Sequence, residues 1–256
     1  MMTLIIRLLS MAIIVTSSTT LSAGQTTVAV AANFTAPMEA IAKIFTANTG
    51  HDVRLAFGSS GHLLAQIQNA APYEVFLSAD TDKPARLIAD GQAVAASRFT
   101  YAVGKLVLWS ATPGLTQDGV AVLKAGDFQR LALANPKLAP YGAASIETLK
   151  ALGVYDALQA KIVQGNNISQ TYQFVATGNA QWGFIALSQV IDEKSNIGQG
   201  SRWIVHRELY SPIRQDAVLL QTGVANPAAT ALLTFLRGPE ASAIIARYGY
   251  AIPAVR

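Results

Sequence analysis

Four short stretches of this chain offer neutral hydrogen-bond donors and no charge: Ala31-Ala32-Asn33-Phe34-Thr35, Phe57-Gly58-Ser59-Ser60-Gly61, Ala139-Pro140-Tyr141-Gly142-Ala143 and Gly165-Asn166-Asn167-Ile168-Ser169. Each lies after an apolar run and before a segment with helical spacing. The first N–H groups of a helix have no acceptor within it and carry a partial positive charge, so a strand-to-helix junction suits an anion. None of the four stretches contains Lys, Arg, Asp or Glu. The chemistry this predicts is capture of an oxyanion by dipoles, followed by its release intact. Asn33 and Ser60, with the backbone N–H groups of Tyr141 and Ile168, form the candidate ring. A donor to a charged oxygen contributes about 1.5–3 kcal/mol, and a handful of them gives tight binding after the costs of association. Singly, each residue has a plainer role: Asn33, Ser59 or Ser60 as a helix cap or turn residue, Tyr141 as a turn aromatic, Ile168 as core. The reading rests on the set.

Ser60 also admits a second chemistry, hydrolysis with His51, His62 or His206 as base and an Asp as orienter. Gly58-Ser59-Ser60-Gly61 stands at the strand-turn-helix position such a nucleophile needs but lacks the G-x-S-x-G spacing. His62 is too near in sequence to be assumed a base. No His/Glu cluster has metal-ligand spacing. Capture is therefore preferred to catalysis, with no cofactor and no direct metal ligand.

The elements that must position these residues alternate. Thr27 to Ala31 reads as a buried strand, and Met38, Ile41, Ala42 and Phe45 fall on one face of a helix that Pro37 opens and Gly50 closes. Val53 to Phe57 is a second strand, Leu63 to Ile67 a second helix, Val75 to Ser78 a third strand and Pro84 to Ile88 a third helical piece. Tyr101 to Trp109 is extended around Gly104-Lys105. The alternation then restarts: Leu131 to Ala134, the helix of Ile146, Leu149 and Leu152, Ile162-Val163, the helix of Tyr172 and Val175, and strands at Phe184 to Leu187 and Trp203 to Val205. Ala217 to Leu220 is extended, and Ala228 to Leu236 and Ala241 to Tyr248 are closing helices. This order predicts α/β lobes with mostly parallel sheets covered by helices. Two lobes with crossovers near Gly104 and near Ala217 to Val224 are preferred to one doubly wound domain. In open α/β sheets ligands bind outside the carboxyl ends of the strands, so all four stretches can face one cleft.

Bulk properties bound the rest. Met1 to Arg7 carries one positive charge, Leu8 to Val15 is apolar, and Thr16 to Ala23 is small and polar. This is the order of an export signal cleaved after Ala23; the apolar stretch is short of the ~20 residues that span a bilayer. Hydrophobic residues make up 51% and charged residues 13% of the chain, a globular composition, and there are no cysteines to form disulfides or thiolate sites. The net charge is +4, but Lys and Arg are scattered, which argues against a nucleic-acid partner.

These residues carry a family resemblance. Ala31-Ala32-Asn33-Phe34, Gly58-Ser59-Ser60-Gly61, Ala71-Pro72-Tyr73-Glu74-Val75-Phe76 with Ser78-Ala79-Asp80, Pro140-Tyr141-Gly142, Gly165 to Gln170, Gly183 to Leu187 and Pro212 to Val218 together resemble the periplasmic molybdate-binding proteins, solute receptors of molybdate ABC transporters. The resemblance runs from about Val28 to the C-terminus. It implies a two-lobed periplasmic solute-binding protein of type II, with the signal at 1–23, a first lobe of 24–104 plus 224–256 and a second of 105–223. It implies binding of molybdate or tungstate through Asn33, Ser60, Tyr141, Ile168, Ala32 and Ser59. Asn33 and Ser60 would use side chains and N–H groups, Tyr141 and Ile168 their N–H groups. It also implies a monomer that docks on a membrane permease. One branch of the family has Ser in place of Asn33, a small residue in place of Tyr141, and a ligand Tyr where this chain has Ala186; this chain follows the other branch. A site made only of donors fits a fully deprotonated dianion and disfavours phosphate, which keeps a proton. A sulfate-type receptor is the alternative, and its exclusion depends on cavity size.

Overall fold

The computed structural model describes residues 24–115, 118–191 and 200–253; the expected export signal, 1–23, lies outside the described residues. In chain order the strands and helices begin β1 (Gln25–Ala31), α1 (Thr35–Thr49), β2 (Asp52–Gly58), α2 (Ser60–Gln68), β3 (Val75–Leu77), α3 (Asp82–Ala89), β4 (Phe99–Gly104), β5 (Leu106–Ser110) and α4 (Gly119–Ala125). They continue β6 (Leu131–Ala134), α5 (Pro140–Ala151), α6 (Tyr155–Leu158), β7 (Ile162–Gly165), α7 (Ile168–Ala176), β8 (Trp182–Ala186), β9 (Ser201–Ile204), β10 (Ile213–Leu219), α8 (Pro227–Arg237) and α9 (Pro239–Arg247). The punctuation is as expected: Gly50 closes α1 at φ 72°, its N–H donating to the Thr46 carbonyl, and Pro140 opens α5.

The strands form two five-stranded sheets, in the orders β2-β1-β3-β10-β4 and β7-β6-β8-β5-β9. In the first, β10 alone runs against its neighbours; in the second, β5 does. Each reversed strand is the one by which the chain has just crossed between sheets. The crossings are at Lys105, between β4 and β5, and at 205–212, between β9 and β10. The first matches expectation. The second corrects it: Ile213–Leu219, placed with the second lobe by a boundary at 223, pairs with β3 and β4 in the first sheet. The apolar run at Ala217 to Leu220 marks a strand between two others, not a linker.

Alternation along each strand explains why both faces are covered. Val28 and Val30 point into a core with Met38, Ile41, Phe45, Leu232 and Ile244, while Ala29 points to the opposite core with Leu63, Ile67 and Leu87. The second sheet repeats this: Leu106 and Leu108 pack with Leu131, Leu149 and Phe184, and Val107 and Trp109 with Val175 and Ile185. The Leu106 core does not stop at its own lobe. It takes in Ala31, Ala32 and Ala79 from the first sheet's strand ends, against Tyr141 and Ile168.

Helix α5 is brought down onto its strand by Gly142, where a Cβ would stand 2.1 Å from the Ala134 carbonyl oxygen at the end of β6. Gly142→Ala is expected to cost about 1–3 kcal/mol of stability through overpacking against backbone. Gly153→Ala, at φ 69° with open space around it, should cost only the left-handed conformation, about 1–2 kcal/mol, and leave α5 in place. Urea unfolding of both variants, with near-ultraviolet circular dichroism for the packing around Tyr141, checks the pair.

Candidate functional site

The carboxyl ends of β1, β2, β6 and β7 each lead into a helical segment, β6 through the turn at 135–139, and the four junctions meet in one small pocket between the sheets. It is lined by Ala32, Asn33, Ser59, Ser60, Tyr141 and Ile168, with small residues such as Ala79 and Ala139 completing the wall. All six candidates from the sequence are therefore together. At each junction helix geometry leaves an N–H free of an intrahelical partner. Ala32 and Asn33 open the 3-10 turn Ala32–Phe34 that leads into α1. In α2, Ser59 is the cap and accepts from His62 N, Gly61 N donates to Leu138 O at 2.9 Å, and Ser60 N is left for the pocket. In α5 the first residue is Pro140, which has no N–H, so Tyr141 supplies the first one. In α7 Asn167 caps Gln170 N at 2.9 Å, and Ile168 N precedes it unpaired. Ser60 Oγ accepts from Ala79 N at 2.9 Å, so its hydroxyl hydrogen stays available.

Asn33 departs from expectation. Its side-chain Nδ2 donates to Gln215 Oε1 at 2.8 Å and to Tyr250 Oη at 2.9 Å. Both amide hydrogens are thus spent within the protein, and the backbone N–H is what Asn33 offers to the pocket. Its carbonyl oxygen accepts from Tyr250 Oη at 2.7 Å and from Ser188 Oγ at 2.8 Å. The network continues through Gln215 to Tyr101 Oη at 3.0 Å and to Tyr141 Oη at 3.3 Å. Tyr141 reaches that position because Gly104 lacks a side chain: a Cβ there would lie 2.1 Å from the tyrosine oxygen. Phe34 seals the network edge-on to Tyr101 and Tyr250, at 4.8 and 5.4 Å between centroids. Gln215 lies in the stretch Pro212 to Val218 singled out in the sequence. Nothing local marks Ser188 or Tyr250, since their partners lie 155 and 217 residues away.

The pocket is electrically neutral. Tyr141 is its one titratable side chain among the lining residues, and burial pushes its hydroxyl well above the ordinary value of 10. Tyr101 is raised likewise, first by burial. Burial pushes Tyr250 up to about 12, against the pull of its hydrogen bonds to Ser188, Asn33 and Tyr141. The histidines are engaged elsewhere: His51 Nδ1 accepts from Gly24 N at 2.9 Å, His62 lies 3.1 Å from Gln66 Nε2, and His206 packs edge-on to Trp203. Positive charge comes only from the converging helix N-termini. Such a site can hold an anion.

Because its raised pKa favours the protonated form in the folded state, the contribution of Tyr250 is complete below pH 10 and is lost as pH climbs through about 12. Stability in urea is expected to fall across that interval in the parent and to fall less steeply in Tyr250→Phe; equal slopes would contradict the assignment.

Comparison with known proteins agrees with the geometry. The family model described as "Bacterial extracellular solute-binding protein" matches residues 26–251. The chain is 55% identical to the molybdate-binding protein ModA of Azotobacter vinelandii over 230 residues, 90% of this chain and 91% of that one. It is 55% identical to ModA of Rhodobacter capsulatus over 229 residues, 90% of this chain and 89% of that one. A solved periplasmic molybdate-binding protein from Azotobacter vinelandii superposes with a TM-score of 0.86 at 42% identity, covering 89% of this chain and 99% of that chain. The chain belongs to the bacterial extracellular solute-binding protein family.

Proposed function

We propose that this solute-binding protein is a molybdate receptor of an ABC transporter, taking the anion into the pocket between its two lobes. The observation that carries the reading is the meeting of four uncharged helix N-termini in one pocket, in a chain 55% identical to two molybdate-binding proteins over most of its length. Molybdate is the ligand, not a cofactor, and tungstate, of nearly equal size and the same charge, binds with it.

The anion is held through its oxygens by the N–H groups of Asn33, Ser60, Tyr141 and Ile168 and the Ser60 hydroxyl, with Ala32 and Ser59 beside them. A dianion has acceptors on every oxygen, and a site of donors alone matches it. Phosphate, carrying a proton, would need an acceptor that the lining lacks. Sulfate has molybdate's charge and shape but shorter bonds, so donors fixed on rigid helices reach it less well. Burying a dianion without a counter-charge is costly unless nearly every oxygen is bonded. The first lobe binds first, and contacts from Tyr141 and Ile168 then favour the closed form, a population shift set by differential affinity.

The closed receptor, a monomer, delivers its cargo to a membrane permease. Residues 1–23 direct export to the periplasm and are removed after Ala23. Its role is that of a receptor and not of an enzyme, a reading supported by its match to the solute-binding family and by hydrogen bonds that engage His51 and His62 with partners other than Ser60.

Titration calorimetry is expected to show one molybdate per chain, tungstate equally tight, and sulfate and phosphate much weaker. No oxyanion binding by folded, ligand-free protein would overturn the reading. Ser60→Ala, losing one donor to a charged oxygen, should weaken molybdate by about 1–3 kcal/mol, or about 5- to 150-fold. Since the one titratable lining side chain, Tyr141, is kept protonated by burial, the dissociation constant should stay flat from about pH 6 to pH 9. A drop in affinity within that range would reveal a charged group in the site.

A further inference from the structure

The buried polar network behind the pocket does more than fill space, because it joins the two lobes through a residue of the site itself. Ser188 belongs to the second lobe, two residues past the end of β8, while Asn33 and Tyr250 belong to the first. The Ser188 hydroxyl lies 2.8 Å from the Asn33 carbonyl oxygen and 2.9 Å from Tyr250 Oη. All three residues are buried. Tyr250 is itself fixed, because the next residue, Ala251, bridges to Val103 on β4. Gly249 permits the approach: a Cβ there would stand 2.8 Å from Ile191 and 2.9 Å from Leu187. Asn33 is thereby held at its carbonyl by both lobes and at its amide by Gln215 and Tyr250.

We infer that Ser188 and Tyr250 are positioning residues for anion capture: they clasp the donor residue Asn33 to the second lobe and so set how long the closed receptor keeps its anion. The clasp touches no ligand oxygen. Its hydrogen bonds form fully when the lobes meet, so it stabilises the closed, loaded state without contributing to the first encounter. The inference rests on the receptor reading given above.

Ser188→Ala is a clean test. Asn33 O keeps its bond from Tyr250 Oη, so no buried acceptor is left orphaned, and what is lost is the Ser188 hydroxyl's contacts with Asn33 and Tyr250. Molybdate dissociation, followed by stopped-flow competition with tungstate, is expected to accelerate about 3- to 30-fold, with the association rate unchanged within about twofold. Tyr250→Phe should give a similar change. The double variant should fall short of the product of the two, because both remove parts of one network. Ser188→Thr, which keeps the hydroxyl, should restore most of the parent's slow dissociation. Small-angle scattering should show the molybdate-bound variants less uniformly closed than the bound parent. Parent-like dissociation in Ser188→Ala and Tyr250→Phe would overturn the clasp while leaving the receptor intact. A parent protein that binds no molybdate would instead overturn the receptor reading, and the clasp with it.

Discussion

A dianion taken out of water with no counter-charge must find a hydrogen-bond donor for almost every oxygen, and the structure is organised around that requirement. The cost of leaving a charge undersolvated is several kcal/mol or more, so donors must come from more than one direction. Helix N-termini supply them without side-chain entropy and without a titrating group. An open parallel arrangement of strands brings such termini to one edge of a sheet, and facing two such edges brings them around a single point. The five-stranded sheets with like strand orders are the frame this demands. The reversed strands β5 and β10 are the consequence of threading one chain through both.

Neutrality has a further consequence. A lysine or arginine in the pocket would bind any anion through long-range attraction, and a carboxylate would admit a protonated one. Fixed dipoles discriminate by fit, which makes rigidity the source of selectivity. That explains the density of constraint behind the site. Gly142 seats α5 on β6, Gly104 yields to the Tyr141 hydroxyl, and Gln215 links Asn33 with Tyr101 and Tyr141. The tyrosines there stay protonated because burial penalises their anions, so the scaffold is as insensitive to physiological pH as the donors it holds.

Much of this was legible in the sequence, and the parts that were not share one cause. The strand-to-helix junctions at Asn33, Ser60, Tyr141 and Ile168 are local patterns: an apolar run, a small polar turn, a helical repeat. Their convergence follows from the α/β frame. Where the chain pairs at long range, local pattern is silent. The run at Ala217 to Leu220 reads equally as a linker or as a strand, and only its pairing with β3 and β4 decides. The family resemblance implied the Asn33 side chain as a ligand in the site. That side chain turns away because Gln215 and Tyr250, some two hundred residues on, claim both its hydrogens. Ser188 and Tyr250 carry no local mark at all.

The central claim is that molybdate is held by neutral backbone and hydroxyl donors from four helix N-termini. It is tested most directly by diffraction from crystals grown with molybdate, with data at the molybdenum absorption edge to place the metal. One molybdenum is expected in the pocket, still tetrahedral, its oxygens within hydrogen-bond reach of the N–H groups of Asn33, Ser60, Tyr141 and Ile168 and of the Ser60 hydroxyl, with no charged side chain in contact. Molybdenum at another place, or oxygens met by a lysine or arginine, would contradict that claim.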